Sequence, residues 1–170
     1  MSLRGLIIGP DENDYLKHRA KYFKSKTKLF KKWHSVMCSK ILYKNNASIE
    51  LCTKIKGKIN FPHGLSGILI SAGAEIGDNC TVFHQVTIGS NTAKGSKKQG
   101  SPKIGDNVYI GAGAKIIGGI TVGNNVRIGA NCTVFEDVPD NATVVLEKPR
   151  VIIHEQARDN TFTPFRNFEK

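Results

Sequence analysis

Branched aliphatic residues recur at every sixth position through the middle of this chain. They stand at Ile70, Ile76, Val82 and Ile88 and then, after one interruption, at Ile104, Ile110, Ile116, Val122, Ile128 and Val134. The position two before the beat is small or β-branched at Ala74, Cys80, Val86, Val108, Ala114, Val126 and Cys132. Six beats are followed by glycine, at Gly77, Gly89, Gly105, Gly111, Gly123 and Gly129. An α-helix repeats its apolar face every 3.6 residues and a half-buried strand every two, so neither element running alone gives a period of six. A coil with flat sides does. If each side takes six residues, the beat residue points inward on every side, and the glycine after it supplies the permissive backbone of the corner. Successive coils then stack at the strand spacing of about 4.8 Å and hydrogen-bond to one another.

This pattern predicts a parallel β-helix of roughly eighteen residues per turn, about three coils for the regular beats, with Ile49 and Ile55 suggesting a further, less regular one. The chain reads as four parts: a leader at 1–10, a helical segment at 11–44, the β-helix at 45–139, and an extension at 140–170. In the helical segment Leu16, Ala20, Phe23, Phe30, Trp33, Met37 and Ile41 fall three, four or seven apart, which predicts an amphipathic helix in one or two pieces. Its other face carries Lys17, Arg19, Lys21, Lys24, Lys28, Lys31 and Lys32. A solenoid needs its open end covered, so a cap or subunit contact is the favoured role for this segment. Contact with an anionic membrane surface is the less favoured one. Between Ile88 and Ile104 the segment 90–103 carries four lysines, several glycine and proline breakers and no apolar beat, so it leaves the coil as an exposed loop of the kind that builds binding sites. In the extension, Phe162, Phe165 and Phe168 suggest docking on the barrel or on a neighbour.

Composition narrows the function. At 170 residues and 39% hydrophobic content the chain suits one folded domain. The 25 lysines and arginines against 14 acids give a net charge of +11, which favours an anionic partner such as nucleic acid, an acidic membrane or a polyphosphorylated small molecule. No aromatic and basic interleaving supports nucleic acid, so none is expected. No run approaches the roughly 20 apolar residues of a membrane span, and Gly5 to Gly9 is too short for a signal-peptide core, so a cytoplasmic location is expected. Cys80 and Cys132 fill the small inward slot, and no cysteine pair has a metal-ligand spacing; reduced thiols and no metal site are expected.

Residues 48–139 resemble the catalytic domain of the serine acetyltransferase branch of the hexapeptide-repeat acyltransferases. The resemblance is carried by Val86-Thr87-Ile88-Gly89, Pro102-Lys103-Ile104, Ile110-Gly111-Ala112-Gly113-Ala114-Lys115-Ile116 and Val126-Arg127-Ile128-Gly129-Ala130. It implies an all-β fold, a left-handed parallel β-helix, with a short N-terminal α-helical segment and a C-terminal tail. It also implies transfer of an acetyl group from acetyl-CoA to a hydroxyl. A hydroxyl becomes a good nucleophile only when a base takes its proton. His63, in Phe61-Pro62-His63-Gly64, matches the family's catalytic histidine and is the expected general base. His84, where the family more often has glutamine, is a second catalytic candidate that could orient the acceptor or share the base role. Backbone N–H groups are the expected donors to the thioester oxyanion. The resemblance places the pantetheine arm of acetyl-CoA along the backbones of Ala112 and Ala130, with Gly111 and Gly113 permitting close approach. Lys115, Lys148 and Arg150 are candidates for the CoA phosphates, and Lys94, Lys97 and Lys98 could assist. A homotrimer with sites between subunits is implied, its closed symmetry satisfying each contact.

The chain departs from the family at several positions. Pro62 stands where the family has an aspartate before the histidine, and Ser48 where it has the orienting aspartate, with Glu50 a weak substitute. Gly100-Ser101 replace the Arg-His pair that helps bind the amino acid, and Leu146-Glu147-Lys148-Pro149-Arg150 replace the usual Gly-Val-Pro-Ala-Arg-like ending. With those charges missing, the expected acceptor is a sugar or polysaccharide hydroxyl, serine is the alternative, and a non-catalytic scaffold is the third reading. A zinc-dependent carbonic anhydrase of the same fold is set aside, because the two histidines of the β-helix do not make a three-histidine site.

Overall fold

A computed structural model describes residues 11–158 and 160, so the leader at 1–10 and Phe162, Phe165 and Phe168 lie outside the described residues. Short strands wind into stacked coils. The first coil holds β1 (Ser48–Ile49), β2 (Lys54–Ile55) and β3 (Ile59–Asn60), and the second β4 (Leu69–Ile70), β5 (Glu75–Ile76) and β6 (Cys80–Val82). The third holds β7 (Thr87–Gly89), β8 (Lys103–Ile104) and β9 (Tyr109–Ile110), and the fourth β10 (Lys115–Ile117), β11 (Thr121–Val122) and β12 (Arg127–Ile128). A fifth adds β13 (Thr133–Val134) and β14 (Thr143–Val144). The strands form three parallel sheets, ordered β1-β4-β7-β10-β13, β2-β5-β8-β11 and β3-β6-β9-β12-β14.

The beat residues stack on one another in register. Ile70, Ile88, Ile116 and Val134 pair in succession along the first sheet, and Ile76, Ile104 and Val122 along the second. All ten are buried, as are the small residues two positions earlier. Each buried isoleucine or valine contributes about 1.5–3 kcal/mol, so the ladders are the main source of stability. Ile49 and Ile55 do belong to a coil, and the winding continues past Val134 because Val138 bridges Val122 and Val144 pairs with Ile128.

The beat glycines act differently from expectation. The left-handed backbone at the corners sits three residues after the beat, at Asn79, Gln85, Asn107, Asn125 and Asn131, with φ between 53° and 58°. Asparagine tolerates this region, and its amide adds a ladder: Asn79 Nδ2 donates to Asn107 Oδ1 at 3.0 Å, Asn107 to Asn125 at 2.9 Å and Asn125 to Asn141 at 3.0 Å. The glycine after the beat is required for room. A Cβ on Gly111 would stand 2.7 Å from the backbone nitrogen of Ala130 in the next coil.

Two helices, α1 (Glu12–Lys24) and α2 (Lys28–Lys44), precede the coils, broken where Thr27 caps the second by accepting from Phe30 N. They cover the first coil. Tyr15, Cys38 and Ile41 are buried there, Tyr15 Oη donates to Ile49 O at 3.3 Å, and burial pushes the Tyr15 hydroxyl up to about 12. The expected apolar stripe is offset from the buried one. Phe23, Phe30 and Trp33 are exposed, whereas Arg19, expected on the solvent face, is buried and donates to the carbonyls of Glu50 and Thr53. The first coil's open carbonyls, rather than apolar surface, select the residue that faces them. His18 Nδ1 and His34 Nδ1 share a hydrogen bond of 3.0 Å between the helices. No helix among the described residues is long and apolar enough to cross a membrane.

The loop after β7 is a closed hairpin. Asn91 and Gly100 exchange backbone hydrogen bonds of 2.8 and 2.9 Å, and Gly119 N donates to Lys98 O at 2.9 Å, so the hairpin rests on the fourth coil.

Candidate active site

Each coil turns from the third sheet back to the first through one corner, and these corners stack into an edge. Asn60 pairs with Thr81 at the start of the corner, but Leu69 pairs with Thr87 at its end, so the first corner is three residues longer than the second. The extra length lifts Pro62, His63 and Gly64 outward. His63 consequently stands over His84 of the next coil, with Nδ1 to Nδ1 at 2.9 Å. His63 is exposed and His84 half-buried.

A hydrogen bond between two Nδ1 atoms fixes complementary tautomers. The ring that donates from Nδ1 keeps a lone pair on Nε2 and is a base, while the ring that accepts carries its proton on Nε2 and is a donor. The pair therefore offers one basic nitrogen and one N–H. The ring partner of His63 is His84, whereas Glu50, the weak carboxylate substitute, lies in the first coil beneath α1, where its backbone carbonyl accepts from Arg19 Nη1. His63 also meets the Phe83 ring edge-on at 4.9 Å, Phe83 packs on Tyr109 at 5.0 Å, and the Arg127 guanidinium lies over Tyr109 at 5.7 Å.

The same edge continues below the histidines. Gly113 N donates to His84 O at 3.0 Å and Asn131 N to Ala112 O at 2.8 Å, so His84, Ala112 and Ala130 occupy successive levels of one corner. Residues 101–136, which include these lower corners, match the family model "Bacterial transferase hexapeptide (six repeats)".

The repeat at 101–136 is that of the hexapeptide-transferase family.

Within it, the resemblance is to serine acetyltransferases, and the coil is accordingly a left-handed β-helix. The serine acetyltransferase of Mycobacterium tuberculosis is 44% identical over 80 residues, covering 47% of this chain and 34% of that protein. That of Helicobacter pylori is 39% identical over 99 residues, covering 58% of this chain and 56% of its own length. The solved structure of serine acetyltransferase isoform 3 from Entamoeba histolytica, in complex with cysteine, superposes with a TM-score of 0.61 at 33% identity, covering 74% of this chain and 44% of that one. This hexapeptide-repeat chain thus spans between about a third and just over half of the length of those relatives.

The phosphate candidates separate into three groups. Lys115 lies at the edge, its Nζ donating to Gly113 O at 3.0 Å. Lys148 and Arg150 follow β14 in an exposed segment without regular structure. Lys94 and Lys97 are exposed in the hairpin, but Lys98 is engaged by Asp137 Oδ2 at 2.6 Å, a contact that raises the lysine pKa and lowers the aspartate's. Ser101, at the place of a family charge, shares a 2.7 Å hydrogen bond with Ser90, which also donates to Ser71.

Sequence reasoning missed two contributors. The shelf pairs half-buried Phe83, just past β6, with exposed Tyr109 on β9, and aromatics at these outward positions were its only signal. Glu12, at the start of α1, has its carboxylate at the long corner, 3.6 Å from the place a Cβ on Gly64 would take. That approach depends on how the helices fold back and has no local sequence signal.

Proposed function

We propose that this chain is an acetyl-CoA-dependent O-acetyltransferase in which His63 is the general base. The observation that carries the reading is the His63–His84 pair set directly above Ala112 and Ala130 on one edge. In the proposed reaction Nε2 of His63 takes the acceptor hydroxyl proton as the oxygen attacks the thioester carbon. The proton then passes to the departing CoA sulfur, so the histidine ends as it began. Gly111, Ala112, Gly113 and Ala130 border the pantetheine arm, and Lys115 is the phosphate contact closest to that edge in the fold. Lys148 and Arg150 are assigned the more distal phosphates.

Serine becomes the leading acceptor, reversing the order set by the sequence. The named relatives are serine acetyltransferases, and the Glu12 carboxylate at the long corner offers a partner for an amino acid's ammonium group. A homotrimer closes the groove, each edge lying against a neighbour's flat face. Its expected mass in sedimentation is three times the 18.6 kDa chain.

The test is thiol release from acetyl-CoA with serine, hexoses, amino sugars and nucleotide sugars offered separately, and His63→Ala in parallel. Turnover with serine that collapses in the variant is expected. Turnover with a sugar alone overturns the acceptor, and failure to bind CoA overturns the enzyme reading in favour of a scaffold.

A further inference from the structure

From Tyr15 to Ile49 the chain contains ten lysines and arginines and no aspartate or glutamate, so this stretch carries all but one unit of the net charge of +11. Residues 45–139 of the β-helix carry nine lysines and arginines against six acids, so most of the charge belongs to the helical hairpin. On α2, His34, Cys38 and Ile41 are buried. At 100° per residue, Leu29, Trp33, Val36 and Tyr43 all turn away from the buried side, Trp33 on the flank with its ring against His18 and His34. These four are 76%, 52%, 45% and 87% exposed. The helix is therefore apolar on two faces, one covering the first coil and one facing outward, with Lys28, Lys32 and Lys40 interspersed on the outward side.

We propose that this outward face docks on an anionic lipid surface. Exposed aliphatic and aromatic side chains set among lysines satisfy both parts of an interfacial helix: the rings and Leu29 enter the headgroup boundary while the lysines meet lipid phosphates. Charge complementarity selects this occupant over a second copy of the hairpin, which, with ten lysines and arginines against Glu12 and Asp14 in residues 12–44, would bring a like charge of +8 against the first. Nucleic acid would satisfy the lysines but leave Leu29 and Val36 without a use. The docking face lies on the side of the helices away from the coils, so membrane contact and capping are compatible, and the proposal is independent of the acetyl-transfer reading.

Trp33 is the sole tryptophan, which makes its fluorescence a direct reporter. The full chain is mixed with phosphatidylcholine vesicles and with vesicles containing one part in three phosphatidylglycerol, and sedimentation and Trp33 emission are recorded. Binding to the anionic vesicles, with a blue shift, quenching by brominated acyl chains and a loss of at least tenfold in partition at high salt, is expected. Leu29→Ser with Val36→Ser, and separately Lys28→Glu with Lys32→Glu, each weaken partition at least tenfold; all four side chains are solvent-facing, and unchanged circular dichroism checks the fold. No sedimentation with anionic vesicles overturns the proposal. So does a change of oligomeric state in Leu29→Ser with Val36→Ser, which would make the face a subunit contact. A Trp33 already shielded from acrylamide without vesicles would mean that another part of the chain covers the face. Salt-sensitive binding to single-stranded RNA with none to vesicles would assign it to nucleic acid.

Discussion

The histidine pair makes a prediction that separates a base from its orienting partner. Removing His63 removes the proposed proton acceptor, and loss of a positioned base costs about 10²–10⁴ in rate. Removing His84 leaves that base in place but takes away one neutral hydrogen bond of 2.9 Å. Such a bond is worth about 0.5–1.5 kcal/mol, which corresponds to about a two- to twelvefold loss. His84→Gln should fall at the mild end, because a carboxamide can still donate to or accept from Nδ1 of His63. The double variant His63→Ala with His84→Ala should be no slower than His63→Ala alone, since an orienting group has nothing left to orient. The assay is thiol release from acetyl-CoA at saturating acceptor, with circular dichroism confirming the fold of each variant. If His84→Ala loses as much as His63→Ala and His84→Gln does not recover, His84 is itself the base. Multiplicative losses in the double variant would mean two independent roles and would refute the orienting argument.

Three further outcomes follow from the geometry. Gly111→Ala places a methyl group against the backbone of Ala130, Gly129 and Ile128, atoms that cannot turn aside; about 1–3 kcal/mol of overpacking should lower the melting temperature by several degrees, and an unchanged value would show that the coils can spread. Lys115→Ala should raise KM for acetyl-CoA about fivefold with kcat nearly unchanged, the signature of a binding contact at an exposed edge; an unchanged KM would remove Lys115 from the phosphate site. Burial first, and the neighbouring His34 and Lys21 next, lower the His18 pKa, while Asp14 opposes them. The folded chain then binds fewer protons there than the unfolded chain, so this contribution is complete above the ordinary histidine value of about 6.5 and is lost as pH falls through it. Melting temperatures recorded from about pH 7.5 to 5.5 should fall, less steeply in His18→Gln, and parallel slopes would refute the assignment.

The fold was legible because its stabilising pattern is periodic. Every sixth side chain points inward, and the register of Ile70, Ile88, Ile116 and Val134 can be counted directly from the sequence across the interruption. The role of the glycines was not legible from period alone. Room and backbone freedom both call for glycine, and only the structure separates Gly111, which needs room, from Gly113, which has φ of 70°. The helical hairpin was legible as helix but not as to which side is buried. Arg19 is inward because the first coil offers the carbonyls of Glu50 and Thr53, and a scale that ranks residues by apolarity sends arginine to solvent. Trp33 is outward for a related reason: α2 carries apolar residues on both sides, so amphipathicity does not choose between them.

The candidate site was legible one histidine at a time, and the pairing required a spacing argument. Regular coils set equivalent residues eighteen apart, as at Ile70 and Ile88, and on that count His63 and His84 are out of register. The first coil, however, pairs Ile49 with Ile70 and Ile55 with Ile76, both twenty-one apart. His63 and His84 are also twenty-one apart, so the irregular coil is the one that aligns them. The three added residues fall within the corner itself, since the register is back to eighteen by Leu69 and Thr87. A corner of ordinary length would have left no segment to project. Deleting Leu65, Ser66 and Gly67 would bring the first coil to eighteen residues, remove the projection and draw His63 back into the ordinary corner position directly above His84, so that the base no longer stands out from the edge. Such a variant should keep its β-helix circular dichroism and lose acetyl transfer to the level of His63→Ala. Retained transfer would show that the long corner serves to bury Leu65 in the core rather than to place the base.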